Sequence, residues 1–450
     1  MTEHAAEPDH SEHPARQKLA IALAIGITFP ALFVRLSGIH TEPLRGAVIF
    51  GMAVVGGAFL LAWAAEVAQL DISAGLAIAL LALIAVLPEY AVDFVFTWKA
   101  GDAFEQYGTC EVGGTNQCEN ALANMTGGNQ LLIGIGWSMV VLVSAYRLRQ
   151  ARQGKGPRSI PPGTDLTATE VVLERSHAVE ISFLILATIY GLTLPFKETL
   201  TLFDSAVLVT IFVVYMFRVA RAPAEEPHLV GPAQLIATLP TRQRRLCVAG
   251  LALGAIVVIL AVAEPFADGL VEVGEEFGIN QFVLISIVAP LASESPELLV
   301  AGMFAWRLNS NAGLGALVSS KVNQWTLLVG TLPIVFAIAS SSTHGLPIGA
   351  EQREELWVTA AQSAFAVAVL MNRRMSVTEA ITMFVLYIAN LASRVLPDGI
   401  HDEARIGVGA VYLVLAFVVL IRNRRGVRPL LHDGFRAPYA ELSTAEGVPA

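Results

Sequence analysis

The chain has 450 residues, 54% of them hydrophobic and only 15% charged, and a formal net charge of −9. Together with a positive mean hydropathy, that composition excludes an ordinary soluble domain and leaves a polytopic membrane protein. The acidic excess lies mainly in tails and connections and identifies no partner.

In chain order, residues 1–17 are polar and rich in His and Glu. They lack a basic n-region or small-residue cleavage site, so they read as a cytoplasmic tail rather than a removable signal. Residues 18–217 form a first transmembrane half, 218–245 a cytoplasmic connection, 246–421 a second half and 422–450 a second cytoplasmic tail. About twelve apolar segments of roughly 17–27 residues are each long enough to span a bilayer. They begin near Leu19, Gly46, Ala74, Asn120, His177, Asp204, Leu246, Ile279, Ala312, Leu356, Val377 and Ile406. Basic residues gather at alternate connections: Arg147, Arg149, Arg152, Lys155 and Arg158; Arg218, Arg221, Arg242, Arg244 and Arg245; Arg373 and Arg374; Arg422, Arg424, Arg425 and Arg428. The opposite connections, such as Asp268 to Gly278 and Ser340 to Glu355, are acidic or neutral. The positive-inside rule then puts both termini in the cytoplasm, for a protein of the plasma or inner membrane.

Cys110 and Cys118 share the loop from Gly101 to Glu119, which this topology places outside, and read either as a disulfide or as two free thiols. Cys247, at a helix start, reads as packing. No cysteine-histidine cluster points to a structural metal.

Two stretches break the apolar pattern. Ile287 to Arg307 carries Glu294 and Glu297 inside one span, with Pro296 between them; Leu80 to Ala100 carries Pro88 and Glu89. A charge at the bilayer centre costs roughly 2.5–3.5 kcal/mol on insertion scales, so the default reading is an ion pathway. Proline frees a backbone carbonyl one turn back, suited to a wet cavity or a cation. A small-residue helix start follows each acid: Ala123 to Asn129 in the first half, Gly315 to Lys321 in the second. The Pro-Glu helices are the third and eighth spans, an odd offset that reverses the crossing direction. The expected fold is therefore all-α and polytopic, with inverted five-helix repeats (ten core helices) plus about two extra spans. Repeat 1 is centred on about 74–146 and repeat 2 on about 279–339.

These residues resemble the cation/calcium exchanger superfamily, whose repeats read approximately G-T-S-L-P-E and G-N-x-x-G-S-N. The resemblance implies two inverted halves in which the two glutamates bind calcium while nearby Ser, Thr, Asn and Asp bind sodium. The Pro-Glu form looks closer to the sodium/calcium branch than to the calcium/proton branches. This chain departs from the pattern at Ala85-Val86 and Ser293-Glu294 before Pro-Glu, and at Ser320-Lys321 where Ser-Asn is usual. Leu132 and Gln324 stand where a further Asn or Asp is usual. Several sodium ligands are thus missing.

Glu89 and Glu297 are the expected calcium ligands, with Asn129. Asp93, one turn after Glu89, and Glu294, one turn before Glu297, read as further ligands, proton carriers or cavity walls. Lys321, the pseudo-symmetry mate of Asn129 and expected near Glu297, would replace a bound monovalent cation, be displaced by calcium, or lock the site. The structural alternative is a Lys-Glu pair joining two helices. Asn124, Gln324, Ser293, Ser295, Ser319 and Ser320 read equally as ion contacts or interhelical packing. Glu66 and Glu264 occupy similar places before each repeat and would line the path. Trp98, Trp137, Trp306 and Trp325 read as interface or packing groups.

The function expected is a secondary antiporter exchanging calcium for protons or sodium. A sodium/proton exchanger and a non-transporting sensor or scaffold neutralised by Lys321 remain alternatives. No Ser-Lys, paired Asp or His-x-x-x-His arrangement marks an enzyme. The partners expected are inorganic cations and lipid, with no nucleic acid and no cofactor beyond the transported cation.

Overall fold

The computed structural model describes residues 14–71, 86–154, 169–222, 229–394, 396 and 400–442. The expected start of the third span near Ala74, and Lys155 and Arg158, fall outside them. Runs of apolar residues make helices throughout, because in lipid every backbone group must be satisfied within its own segment. Among the described residues, eight helices are long and apolar enough to cross a membrane, nine if one bent pair counts as a single span.

The first half opens with α1 (Pro14–Gly26) and α2 (Phe29–Ser37), which run as one span, followed by α3 (Pro43–Ala68) and α4 (Leu87–Tyr107). Next come α5 (Gln117–Leu131), continued by a π segment (Leu132–Trp137) into α6 (Ser138–Arg152), then α7 (Ala178–Gly191) and α8 (Leu202–Val219). After the short α9 (Pro232–Ala237), the second half holds α10 (Thr241–Phe277), and the bent pair α11 (Gln281–Ser293) and α12 (Ser295–Trp306). It continues with α13 (Ser310–Asn323), a second π segment (Gln324–Leu328), α14 (Val329–Ala339), α15 (Ala350–Leu370), α16 (Val377–Ser393), α17 (Ile400–Phe435) and α18 (Tyr439–Leu442). α4 and α15 are less apolar because they carry several charges, and α16 is short.

Capping sets several boundaries. Thr201 with Asp204 and Ser376 with Glu379 form capping boxes at the starts of α8 and α16. Left-handed Gly108 and Gly278 stop α4 and α10. Because nothing breaks the chain before Gly278, Asp268 to Phe277 is helical rather than the connection expected from its acids. Likewise α17 runs on through Phe435, so the second tail opens as helix.

Short strand pairs tie connections that share a face. Glu170–Val172 pairs with Arg374–Ser376 on one face, where Asp71 also meets Arg244 and Arg245. Thr199–Leu200 pairs with Leu346–Pro347 on the other, which also carries the hairpin Glu111–Val112/Thr115–Asn116 closed by a Cys110–Cys118 disulfide. The first face collects the basic connections and both ends of the described chain. Hence α5 starts beside the hairpin, whereas α13 starts beside Glu174, whose N–H donates to Asn311 Oδ1 at 2.8 Å. The two helices cross in opposite senses, as inverted halves must.

The core sits where the halves interlock. α3 and α10 make the most extensive contact in the bundle. A Cβ at Gly51 or Gly57 would stand 2.8 Å from Phe266 or Ile259, so these glycines set the approach. α5 meets α11 more closely still: a Cβ at Gly127 would lie 1.9 Å from the Ser286 carbonyl oxygen.

Candidate cation site

Proline places the acids. Pro88 and Pro296 sit in the first turns of α4 and α12, where a missing N–H costs nothing, and each is followed by a glutamate in that same turn. There the helix dipole favours negative charge. Glu294 lies at the junction of α11 and α12, whose axes differ by 57°. The carbonyl that Pro296 frees is not left for an ion: Ser295 Oγ donates to Ala292 O at 3.0 Å. Ser293 Oγ similarly donates to Ala289 O at 3.2 Å, so both serines serve the backbone.

Three helix breaks converge on one amide. Gln324, the first residue of the second π segment, donates through Nε2 to Glu89 Oε1 at 2.9 Å and also to Glu294 Oε1. Glu89 and Glu294 are in addition within hydrogen-bonding reach of each other. The carboxylate that shares the Gln324 amide with Glu89 is thus Glu294, not Glu297. Glu89 and Glu294 are buried from solvent and Glu297 is half-buried at the cavity wall, and the Oε2 of each is itself buried with no hydrogen-bond partner.

The other named residues fall into two satellites. Lys321 donates to Asn129 Oδ1 at 2.6 Å and to Asn129 O at 3.0 Å, and lies 4.8 Å from the centre of the Trp325 ring. No carboxylate among the described residues pairs with it, and the acid acting on it electrostatically is Glu294 rather than Glu297. The Lys-Glu strut considered above is therefore replaced by a Lys-Asn one. The pairing joins pseudo-symmetry mates 192 residues apart, and the same offset separates the starts of the π segments that follow them. Such π segments are frequent at functional sites. In the second satellite Asn124 Nδ2 donates to Asp93 Oδ1 at 2.9 Å, leaving Asp93 Oδ2 and Asn124 Oδ1 without partners.

A cavity of about 400 Å³ on the side of the basic face reaches Glu297, the one of the three acids that lines it. It is lined by Glu297, Glu66, Glu180, Ser319, Ser320 and Asn323, among others. Glu66 therefore lines a path, but Glu264 does not: it lies mid-helix in α10 and pairs with Arg35 at 2.9 Å, half exposed. On the opposite face a polar cavity of about 660 Å³ is lined by Glu111, Glu119, Asn120, Asn280 and Gln281. No three His, Cys, Asp or Glu side chains among the described residues converge as a ready metal cage. A calcium ion would therefore draw on carbonyls, amides and water besides the paired acids.

Sequence reasoning missed Glu180, whose only signal is an acid in the first turn of an apolar helix. It also missed a second buried network behind α5. Gln130 Nε2 donates to Glu355 Oε2 and Thr359 Oγ1, both at 2.8 Å; Arg394 Nη2 donates to Glu355 Oε2 at 2.8 Å; and Asn390 Nδ2 donates to Gln130 Oε1 at 2.8 Å. Glu355 reads from sequence as the edge of a connection. The structure starts α15 earlier, at Ala350, and buries Glu355 completely.

The sequence pattern of a family described as "Sodium/calcium exchanger protein" matches residues 44–220 and 247–396. The crystal structure of an H+/Ca2+ exchanger, CAX, is similar to this chain at 37% identity, covering 96% of this chain and 100% of that one, with a TM-score of 0.83. A structure of the selenium-substituted Ca2+/H+ antiporter protein YfkE shares the fold at 13% identity, covering 88% and 100%, with a TM-score of 0.55. No curated protein sequence matches the chain.

Proposed function

The chain belongs to the sodium/calcium exchanger protein family, and from that premise we propose that it is a secondary-active antiporter exchanging calcium for protons by alternating access. The observation that carries this reading is the meeting of Glu89 and Glu294, from opposite halves, on one amide, each with an oxygen left over. Two carboxylates this close cannot both stay ionised without a proton or cation between them. A site that accepts either, one at a time, is an exchanger. Glu297 and Asp93 extend it, and Gln324 orients it.

Protons rather than sodium are supported by the missing sodium-type ligands and by the similarity to a solved H+/Ca2+ exchanger. Lys321 supports it too: its amino group, held by Asn129, would serve as a tethered monovalent cation whenever it carries a proton. The cavity at Glu297, on the side of the basic connections, supports an inward-open reading of this conformation, in which both termini are cytoplasmic.

The test is radiolabelled calcium uptake into proteoliposomes under an imposed pH or sodium gradient. Uptake driven by the pH gradient alone is expected, at rates unchanged by sodium. Uptake driven only by sodium would replace the coupling ion, and no uptake under either gradient would leave a non-transporting scaffold.

A further inference from the structure

The basic face carries a second cavity, of about 510 Å³, that the exchange site does not use. Arg175, Arg373, Arg428, His432, Pro429 and Asp433 line it. Asp433 is its only acid, and that acid is already engaged: Arg175 Nε and Nη2 grip its two oxygens at 2.7 Å each. His432 Nδ1 stands 3.6 Å from the same carboxylate. Arg373 spends one N–H on Leu173 O at 3.4 Å, and Arg428 is exposed with no partner among the described residues. Three guanidinium groups thus share one lining carboxylate, with Glu441 acting on Arg175 from outside the cavity, a local excess of positive charge that an added anion would offset.

The backbone maintains this crowding. Arg373 is one of three non-glycine residues among the described residues with a positive φ, at 58°, in the turn between α15 and α16. Its N–H donates to Leu370 O, and its carbonyl accepts from Leu173 N at 2.8 Å, so the turn is fixed from two sides. Burial, with Arg175 and Arg374 beside it, pushes the Arg373 guanidinium below its ordinary value. α17 has 36 residues, roughly 54 Å at 1.5 Å per residue, against about 30 Å of hydrocarbon. Its last turns, with Arg428 and His432, therefore stand beyond the hydrocarbon, at headgroup level.

We propose that this pocket binds a phosphate-bearing anion, gripped by Arg373 and Arg428 with His432 at the rim. Guanidinium forks match phosphate oxygens two at a time, and basic pockets between transmembrane helices are where acidic headgroups lodge. Either a phospholipid headgroup or a soluble phosphate supplies that chemistry.

The full chain, purified in detergent, distinguishes the sources. Native mass spectrometry is read with added dioleoylphosphatidylglycerol or dioleoylphosphatidylcholine, and calorimetric titration with inorganic phosphate. A bound phosphatidylglycerol, weakened at least about tenfold in R373Q/R428Q but not in R424Q/R425Q, supports the site with a lipid source. Saturable phosphate binding with the same dependence supports it with a soluble source. Binding of neither, or equal weakening by the exposed Arg424 and Arg425 pair, overturns it. Should R373Q disturb its turn, R428Q alone, on an exposed helix face, gives the same reading.

Discussion

At the residue scale the site is a problem of unmatched charge. Glu89, Glu294 and Glu297 each present a buried oxygen with no donor, and an uncompensated ion in such surroundings costs several kcal/mol. In the proposed exchange, occupancy by calcium or by protons would remove that cost. Substituting Glu89→Gln or Glu294→Gln is expected to lower calcium exchange by at least about tenfold, since few charged oxygens are available to the ion. Wild-type flux in both variants would exclude them as ligands. Lys321→Asn restores at the second position the residue that stands at its pseudo-symmetry mate. It is expected to make calcium uptake sensitive to sodium; uptake indifferent to sodium would remove the tethered-cation role. The sequence named Glu89, Glu294 and Gln324 but not their grouping. That Glu294, not Glu297, meets Glu89 depends on the bend between α11 and α12, which residue spacing along a straight helix does not describe.

At the element scale, glycine and proline decide how closely the helices approach. Gly127 leaves no room for a side chain against Ser286. Gly127→Val should force α5 from α11 at a cost of at least about 1–3 kcal/mol, the usual range for overpacking. The thermal midpoint should fall while Gly254→Ala, where nothing lies within 4 Å, leaves it unchanged. A second element-scale tie holds the end of α3 to the start of α10. Hydrogen bonds from Arg244, with Arg245 beside it, hold the Asp71 carboxyl at about 2, below its ordinary 3.8. A depressed carboxylate stabilises the fold above its unfolded value and loses that contribution as pH falls through the folded one. The midpoint difference between wild type and Asp71→Asn should therefore be constant above pH ~4 and vanish toward pH ~2. A difference that persists unchanged at pH ~2 would show that the tie is not ionic.

Across the whole molecule, the two halves are held by buried polar joints rather than by apolar contact alone. Glu355 receives Arg394 at 2.8 Å and faces Arg405 at 3.4 Å, with side-chain exposures of 0%, 1% and 1%. That joins α15, α16 and α17 behind α5, through Gln130. Removing one partner of a buried pair typically costs about 3–5 kcal/mol. Glu355→Gln should lower the thermal midpoint more than either Glu89→Gln or Glu294→Gln does, and a midpoint equal to wild type would show that the network is not a joint.

Composition and patterning alone determined that this is a helical membrane protein and that its halves are inverted, and they drew attention to costly acids beside prolines as its candidate site. Those conclusions follow from solvent: hydrocarbon tolerates neither unpaired backbone nor idle charge, and both rules act locally along the chain. Which acid faces which, that Lys321 binds Asn129, and that Glu355 and Arg394 lie inside were decided only by the tertiary structure. Each depends on helix bends and on contacts between residues far apart in the chain, and neither is set by the spacing of neighbours.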